Sequence, residues 1–508
     1  MKQTLLFLAA LMATLKVFGS QTVENVLEHI PDKAFKKCCL QFDTNGDGKL
    51  SQEEAEAVTS ITINGFSSDG KATSLEGIEY FTNLTGLSCF GNELGSLDVS
   101  GCTKLASLYC FDSQLSSLNV SGNTKLRRIY CSSNQLASLD VSNNTELTHL
   151  YCDNNQLSSL NISNNTELAH LWCQNNQLSS LDMSNNTKLT NLECGGNPLS
   201  SLDVSINMKL TNLECSENQL SDLDLSNNTE LTVLSCYKNQ LNSLNISKNT
   251  ELVRLSCQSN QLSNLNISNN TELGSLECSN NQLNSLDVSS NKKLTELYCT
   301  ENQLSSLDVS SNTELTVLYC RNNQLSSLDV SNYTKLTQLD CSNNQLSSLG
   351  VNGCTALFSF SCSNNRLNSL DVSSNTALTQ LDCSSNLLSS LNASNNTALY
   401  LLECQENQLS SLDVNNNTRL GTLNCSSNQL SSLDVSNNTR LSSLTCENNR
   451  LTMLNISGCT SLQFLYCRNN SNPLTIAVWQ EFSTATPSKN IINIRYNAEA
   501  TVFTKVAP

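Results

Sequence analysis

The stretch "LYCDNNQLSSLNISNNTELAHLWCQNNQLSSLDMSNNTKL", Leu150 to Leu189, says nearly the same thing twice at an interval of 21 residues. Aligned on its cysteine, the unit reads L-x-x-L-x-C-x-x-N-x-L-x-x-L-[DN]-V-S-x-N-T-x, as in Leu147, Leu150, Cys152, Asn155, Leu157, Leu160, Asn161, Ile162, Ser163, Asn165 and Thr166. Leucines three apart would suit a helix. However, L-x-C alternates with period two and Asn and Ser crowd the remainder, which argues for a short strand followed by turns. One such unit cannot bury its apolar side alone, so copies must stack and bury it together. The cysteine recurs in phase nineteen times, from Cys89 to Cys467.

The pattern predicts a leucine-rich repeat solenoid with a parallel β-sheet on its concave face. Leu and Cys of each L-x-C point inward, and successive strands lie roughly 4.8 Å apart. The convex face is expected to hold short turns and extended segments, because Asp, Ser, Asn and Thr of "LDVSNNT" bond their own turn backbone. The Asn three residues past each cysteine, broken only by Ser113, is expected to be buried and bonded to backbone. The cysteine column reads as packing by small, polarizable, reduced side chains. In-register thiols on parallel strands lie alongside one another rather than facing, and a metal would need a second ligand type. Cys102, Cys354 and Cys459 replace the second Asn of the unit, five and twelve coils apart, too far to pair with one another.

A length of 508 residues would ordinarily suggest several domains, but the repeat overrules that. Lys2, the apolar run Leu5 to Leu15 and the small pair Gly19–Ser20 read as a secretory signal over residues 1–20. Residues 21–74 then form an N-terminal cap, 75–470 the solenoid and 471–508 a C-terminal cap. No later run approaches 18 apolar residues, so the expected location is secreted or cell-surface, without a transmembrane segment. A net charge of −17 argues against nucleic acid and anionic lipid as partners.

The repeat and its cysteine phase resemble those of bacterial extracellular leucine-rich proteins. They are similar to the internalins of the internalin J type, with 21-residue cysteine-ladder coils, and to Bacteroides-type leucine-rich surface proteins. The resemblance covers about residues 75 to 470 and implies extracellular protein recognition or adhesion. An LPxTG anchor and adhesin repeats after the solenoid, expected of the internalin J type, do not occur in this sequence.

Ahead of the repeats, "DTNGDGKLSQEE" from Asp43 to Glu54 matches an EF-hand loop. Asp43, Asn45 and Asp47 fill positions one, three and five, Gly48 makes the turn at six, and Lys49 offers its carbonyl at seven. Ser51 stands at nine, Glu54 closes at twelve, and Leu50 points inward. One bound calcium fixing the cap is the expectation. After Cys467, Val478 to Phe482 reads as an apolar turn, and "NIINIRY" and "ATVFTKV" as closing strands.

Only the letters that differ between copies carry functional information. Residues three before, one before and one after each cysteine are expected to face solvent on the concave sheet. Before the cysteines run Tyr109, Tyr130, Tyr151 and Trp172, a predicted stack; after them come Phe90, Phe111, Asp153 and Gln174; three before are Arg128, His149 and His170. These are the residue types that supply interface energy, and they nominate a ligand-binding patch. A weaker second patch is Tyr237, Tyr298, Tyr319 and Arg321. The reading is protein binding on a host or neighbouring cell; the alternatives are a glycan stacked on the aromatics, or a spacer without ligand. Catalysis is not expected, since an open sheet excludes little water and no nucleophile has its own base.

Overall fold

A computed structural model describes residues 25–66, 70–471, 473–482, 493–496 and 501–505; the export signal read at residues 1–20 lies outside them. The chain forms two compact units that divide after Leu210.

The first unit opens with the cap. A 3-10 turn, Val26–His29, leads into helix α1, Lys33–Leu40, and, past the 43–54 loop, helix α2, Gln52–Ala57. Asp32 caps α1 by accepting from Phe35 N at 2.8 Å, and its other oxygen accepts from Thr73, tying the helix to the chain entering the coils. Ser51 and Glu54 start α2 with a reciprocal capping box. Val26, Ile30, Phe35, Cys39, Leu50 and Phe81 are fully buried between them. The strand after α2, Ser60–Thr62, pairs in parallel with Gly86–Ser88, so the cap itself supplies the first rung of the sheet.

Strands Ser107–Tyr109, Arg128–Tyr130, His149–Tyr151, His170–Trp172 and Asn191–Glu193 continue that sheet in parallel, each 21 residues on. Each is three residues long, and the cysteine follows its end. Cys131 N and Cys152 N donate to Tyr151 O and Trp172 O, both at 2.8 Å, carrying the ladder one residue further. Asn154 and Asn175 then take left-handed φ of 53° and 54°, a conformation Asn tolerates better than most residues.

The second unit repeats this sheet from Asn212–Glu214 to Phe464–Tyr466 and ends it with Asn493–Arg495. Some segments on the opposite side are strands rather than turns. Ser96–Asp98 pairs with Ser117–Asn119 in the first unit; in the second, Met453–Asn455, Leu474–Val478 and Thr501–Lys505 pair in succession. The expected closing strands are thus present, and Val478 ends a strand rather than opening the apolar turn. Trp479 and Phe482 beyond it are buried, ring against ring at 5.1 Å.

Two polar ladders hold the coils. Asn155 Nδ2 donates to Cys131 O, Cys152 O and Asp153 O at 3.0 to 3.2 Å, and its Oδ1 accepts from Leu136 N at 3.0 Å. On the other side Asn165 Nδ2 donates to Val141 O and Asn144 O. Where the second ladder lacks Asn, its replacement still donates to the carbonyl 24 residues back: Cys102 to Ile78, Cys354 to Val330, Cys459 to Val435. Tyr333, which sequence reading passed over, does the same to Val309. Between the ladders the thiols of Cys131, Cys152 and Cys173 are free and fully enclosed.

Candidate functional site

The 21-residue register places the variable residues of the first unit in columns. Arg128, His149 and His170 stand directly opposite one another, as do Tyr130, Tyr151 and Trp172. The strands fix this, because the central Ile129, Leu150 and Leu171 are buried and alternation turns their neighbours outward.

Tyr130 stacks on Tyr151 at 4.3 Å and 10°, and Tyr151 on Trp172 at 4.0 Å and 8°. Tyr109 departs from the expected stack: it meets Tyr130 edge-on, 4.8 Å away at 87°. His149 and His170 stack at 4.4 Å, and Phe90 and Phe111 at 4.7 Å. Since these rings lie face to face along the column, their faces cover each other, and it is their edges that remain for a partner.

Thr148 Oγ1 donates to Arg127 O at 3.0 Å and also lies 2.9 Å from His149 Nδ1. A hydroxyl has one proton, so the imidazole must be the donor in that second contact, which leaves Nε2 of the neutral ring as a free acceptor. Burial, then His170 and then Arg128, push the His149 pKa below its ordinary value; burial does the same to His170. Both rings are therefore neutral near pH 7.

One further expectation about the patch needs correction. Asp153 does not face solvent: it is 8% exposed and accepts from Ser132 Oγ and, at 2.6 Å, from Asn154 Nδ2. Phe90, Phe111 and Gln174 at the equivalent position stay half-exposed, so it is the folding of the Asp153 carboxylate onto Ser132 of the previous coil and onto Asn154 that accompanies its burial. Gln174 is half-buried, and its Nε2 donates to Glu193 at 3.2 Å. Conversely, Phe66 joins the surface, 65% exposed and 6.1 Å from Phe90. It lies before the repeat, so no column in the sequence could point to it. The second patch is looser. Tyr298 and Tyr319 meet edge-on at 5.3 Å, while Tyr237 has the Lys238 ammonium 5.8 Å from its ring centre and Arg321 is exposed.

In the 43–54 loop, Gly48 has φ 80°, the left-handed turn the sixth position needs, and Leu50 is buried as read. Asp43 accepts from Gly46 N and Gly48 N, Asn45 from Asp47 N, and Asp47 from Lys49 N. Glu54 reaches across to Thr44 N and Oγ1, both at 2.8 Å, and to Ser51. These bonds, from Ser51 first, push the Glu54 pKa down to about 2, so the carboxylate is ionised. The oxygen-only donor set suits calcium. Among the described residues no three His, Cys, Asp or Glu side chains are gathered as a metal cluster; in this conformation the Asp43, Asp47 and Glu54 carboxylates are turned to backbone N–H groups of the loop.

The stacked coils, in-register sheet and asparagine ladders define the class: this chain is a leucine-rich repeat solenoid. A family model described as "Leucine Rich repeats (2 copies)" matches residues 313–353. The chain is similar to the functional domain of InlJ from Listeria monocytogenes, which includes a cysteine ladder, at 28% identity and TM-score 0.57, over 92% of this chain and 84% of that one. YopM from Yersinia enterocolitica WA-314 shares the fold at 23% identity and TM-score 0.70, covering 91% of this chain and 99% of its own. So does the Arabidopsis receptor kinase HAESA, solved with the peptide hormone IDA and the co-receptor SERK1, at 22% identity and TM-score 0.60, over 88% and 90%. No curated protein matches the chain. Among the described residues no helix is long and apolar enough to cross a membrane.

Proposed function

We propose that the chain is an exported binding protein that recognises a protein on a host or neighbouring cell through the first-unit patch, without catalysing a reaction. One observation carries this reading: Tyr130, Tyr151 and Trp172 turn their faces on one another and leave a partner only their edges. A sugar ring needs an open aromatic face and would find only the two ends of that column. A protein surface, by contrast, can use a row of hydroxyls, a guanidinium at Arg128 and two imidazoles at a regular pitch. The HAESA solenoid, solved with a peptide hormone and a co-receptor, supports a protein partner in the same sense.

The test is binding of the mature chain to arrays of cell-surface proteins, beside a variant with Tyr130, Tyr151 and Trp172 changed to Ser. With hot-spot aromatics worth about 2 kcal/mol each, affinity is expected to fall at least a hundredfold. Equal binding by the folded variant removes the patch from consideration. Arg128→Glu should weaken binding as well, whereas a change at Asp153 reports on packing.

We further propose that calcium binds the 43–54 loop through the side chains of Asp43, Asn45, Asp47, Ser51 and Glu54 and the carbonyl of Lys49, and steadies the cap. Saturating calcium should stabilise the cap by about 2.7 kcal/mol at a hundredfold excess over Kd, seen as a higher melting temperature, and Glu54→Gln should abolish that shift. A calcium-insensitive melt of the parent chain would refute it.

A further inference from the structure

The residue four before each cysteine lies on the rim of the sheet. In seven of the thirteen coils of the second unit it is Thr or Ser, and in six of these the hydroxyl donates to the carbonyl one coil back; Val253, Gly274 and Gln463 are among the exceptions. Thr337 donates to Thr316 O at 2.9 Å, Thr379 to Phe358 O at 3.0 Å and Ser442 to Gly421 O at 2.9 Å. Phe358, Tyr400 and Gly421 break that column within four consecutive coils. The two aromatics are 41% and 58% exposed.

Tyr400 and Gly421 depart together. A Cβ on Gly421 would lie 2.4 Å from Tyr400 Cε2, 2.8 Å from Cζ and 3.0 Å from Cδ2. Three adjacent ring carbons at such similar distances place the glycine beneath the ring face rather than at its edge. The backbone does not demand a glycine there, because Gly421 is absent from the positive-φ glycines. Nor does the column: at the equivalent Gly274 the nearest atoms to a Cβ are carbonyl oxygens at 3.8 and 3.9 Å. Gly421 is thus the space into which the Tyr400 ring lies down, one face on the backbone and the other open to solvent. This is the reverse of the first-unit column, whose faces are closed.

Beside this platform the strand continues through Leu401 to Glu403, with Gln380 opposite Leu401 and Asp382 opposite Glu403. Gln380 is exposed, and Glu403 is half-buried. We propose that Tyr400, seated on Gly421, is a saccharide-binding platform for a neutral oligosaccharide. The electron-poor C–H face of a pyranose rests on the negative face of the ring. Its hydroxyls donate to Glu403 and Asp382 and pair with the Gln380 amide, groups within about three strand residues, or roughly 10 Å. Those two carboxylates repel sialic and uronic acids. Phe358, two coils away at roughly 4.8 Å per strand, extends the platform to more than one sugar unit.

The test uses the full chain on arrays of neutral glucose, galactose and N-acetylglucosamine oligomers with sialylated counterparts. Neutral binding is expected, reduced at least tenfold by Tyr400→Ala, retained by Tyr400→Phe, and reduced by Gly421→Val, which lifts the ring. Tyr400 is exposed, so Tyr400→Ala should melt with the parent. The proposal is overturned if the parent binds no neutral oligomer, prefers the sialylated ones, or binds equally as Tyr400→Ala. It is equally overturned if neutral-sugar binding disappears only in the Tyr130, Tyr151 and Trp172 variant. Failure here leaves the first-unit protein site untouched, since that site is read out on protein arrays with other variants.

Discussion

Raising the pH above about 8.5 is expected to unfold the repeat region in a steep transition, because its buried thiols cannot ionise while folded. Enclosure pushes Cys89, Cys131, Cys173 and Cys278 up to about 12. Below the ordinary thiol pKa of about 8.5 both states hold the proton, and stability is undiminished. Above it the unfolded thiols release protons that the folded ones keep, so each thiol removes about 1.4 kcal/mol per pH unit until the folded pKa is reached. The four named alone remove about 5 kcal/mol per pH unit, a large share of any domain's stability. Circular dichroism and thiolate absorbance followed together check this. The two should change in one step, and thiolate appearing well before the β-signal falls would show the column to be open to solvent. A Cys131→Ala, Cys173→Ala variant should start less stable but lose stability with pH less steeply, by about 3 kcal/mol per unit.

The second large effect belongs to the asparagine beside that column. Asn155→Leu removes three donations and one acceptance at once, stranding the buried Leu136 N–H, while the Cys131 and Cys152 carbonyls each keep one bond, from Asn134 and Asn176. The cost is expected to be about 3 kcal/mol, since a stranded buried N–H loses its full hydration and the carbonyls lose one of their two bonds. Asn165→Cys, on the other ladder, should cost only about 1 kcal/mol. There the sequence already uses a thiol at Cys102, Cys354 and Cys459, each bonded to the carbonyl 24 residues back. Thermal melts of the two variants, compared with Asn155→Cys, separate the ladders. Similar losses for Asn155→Cys and Asn165→Cys would mean that the first ladder carries no more than the second.

The coil was legible because period-two alternation at L-x-C and a fixed 21-residue phase leave one way to bury every leucine. The same phase put Arg128, His149 and His170 in one column and Tyr130, Tyr151 and Trp172 in another before any coordinates. The oxygen donors of the 43–54 loop were equally plain, being a matter of residue type and spacing. Tertiary structure alone decided what each column offers. Whether an aromatic shows its face or its edge depends on rotamers set by the coil above and below, and so Tyr130, Tyr151 and Trp172 close on one another while Tyr400 lies open. Burial of Asp153 goes with its contacts to Ser132 one coil back and to Asn154, which a one-letter pattern does not record. Tyr333 and Phe66 stayed hidden for related reasons, the first because its hydroxyl replaces an amide of different size, the second because it reaches the sheet from outside the repeat. Periodicity fixes backbone placement, since hydrogen-bonded coils tolerate no slip, but the exposed surface is shaped by contacts between neighbouring coils.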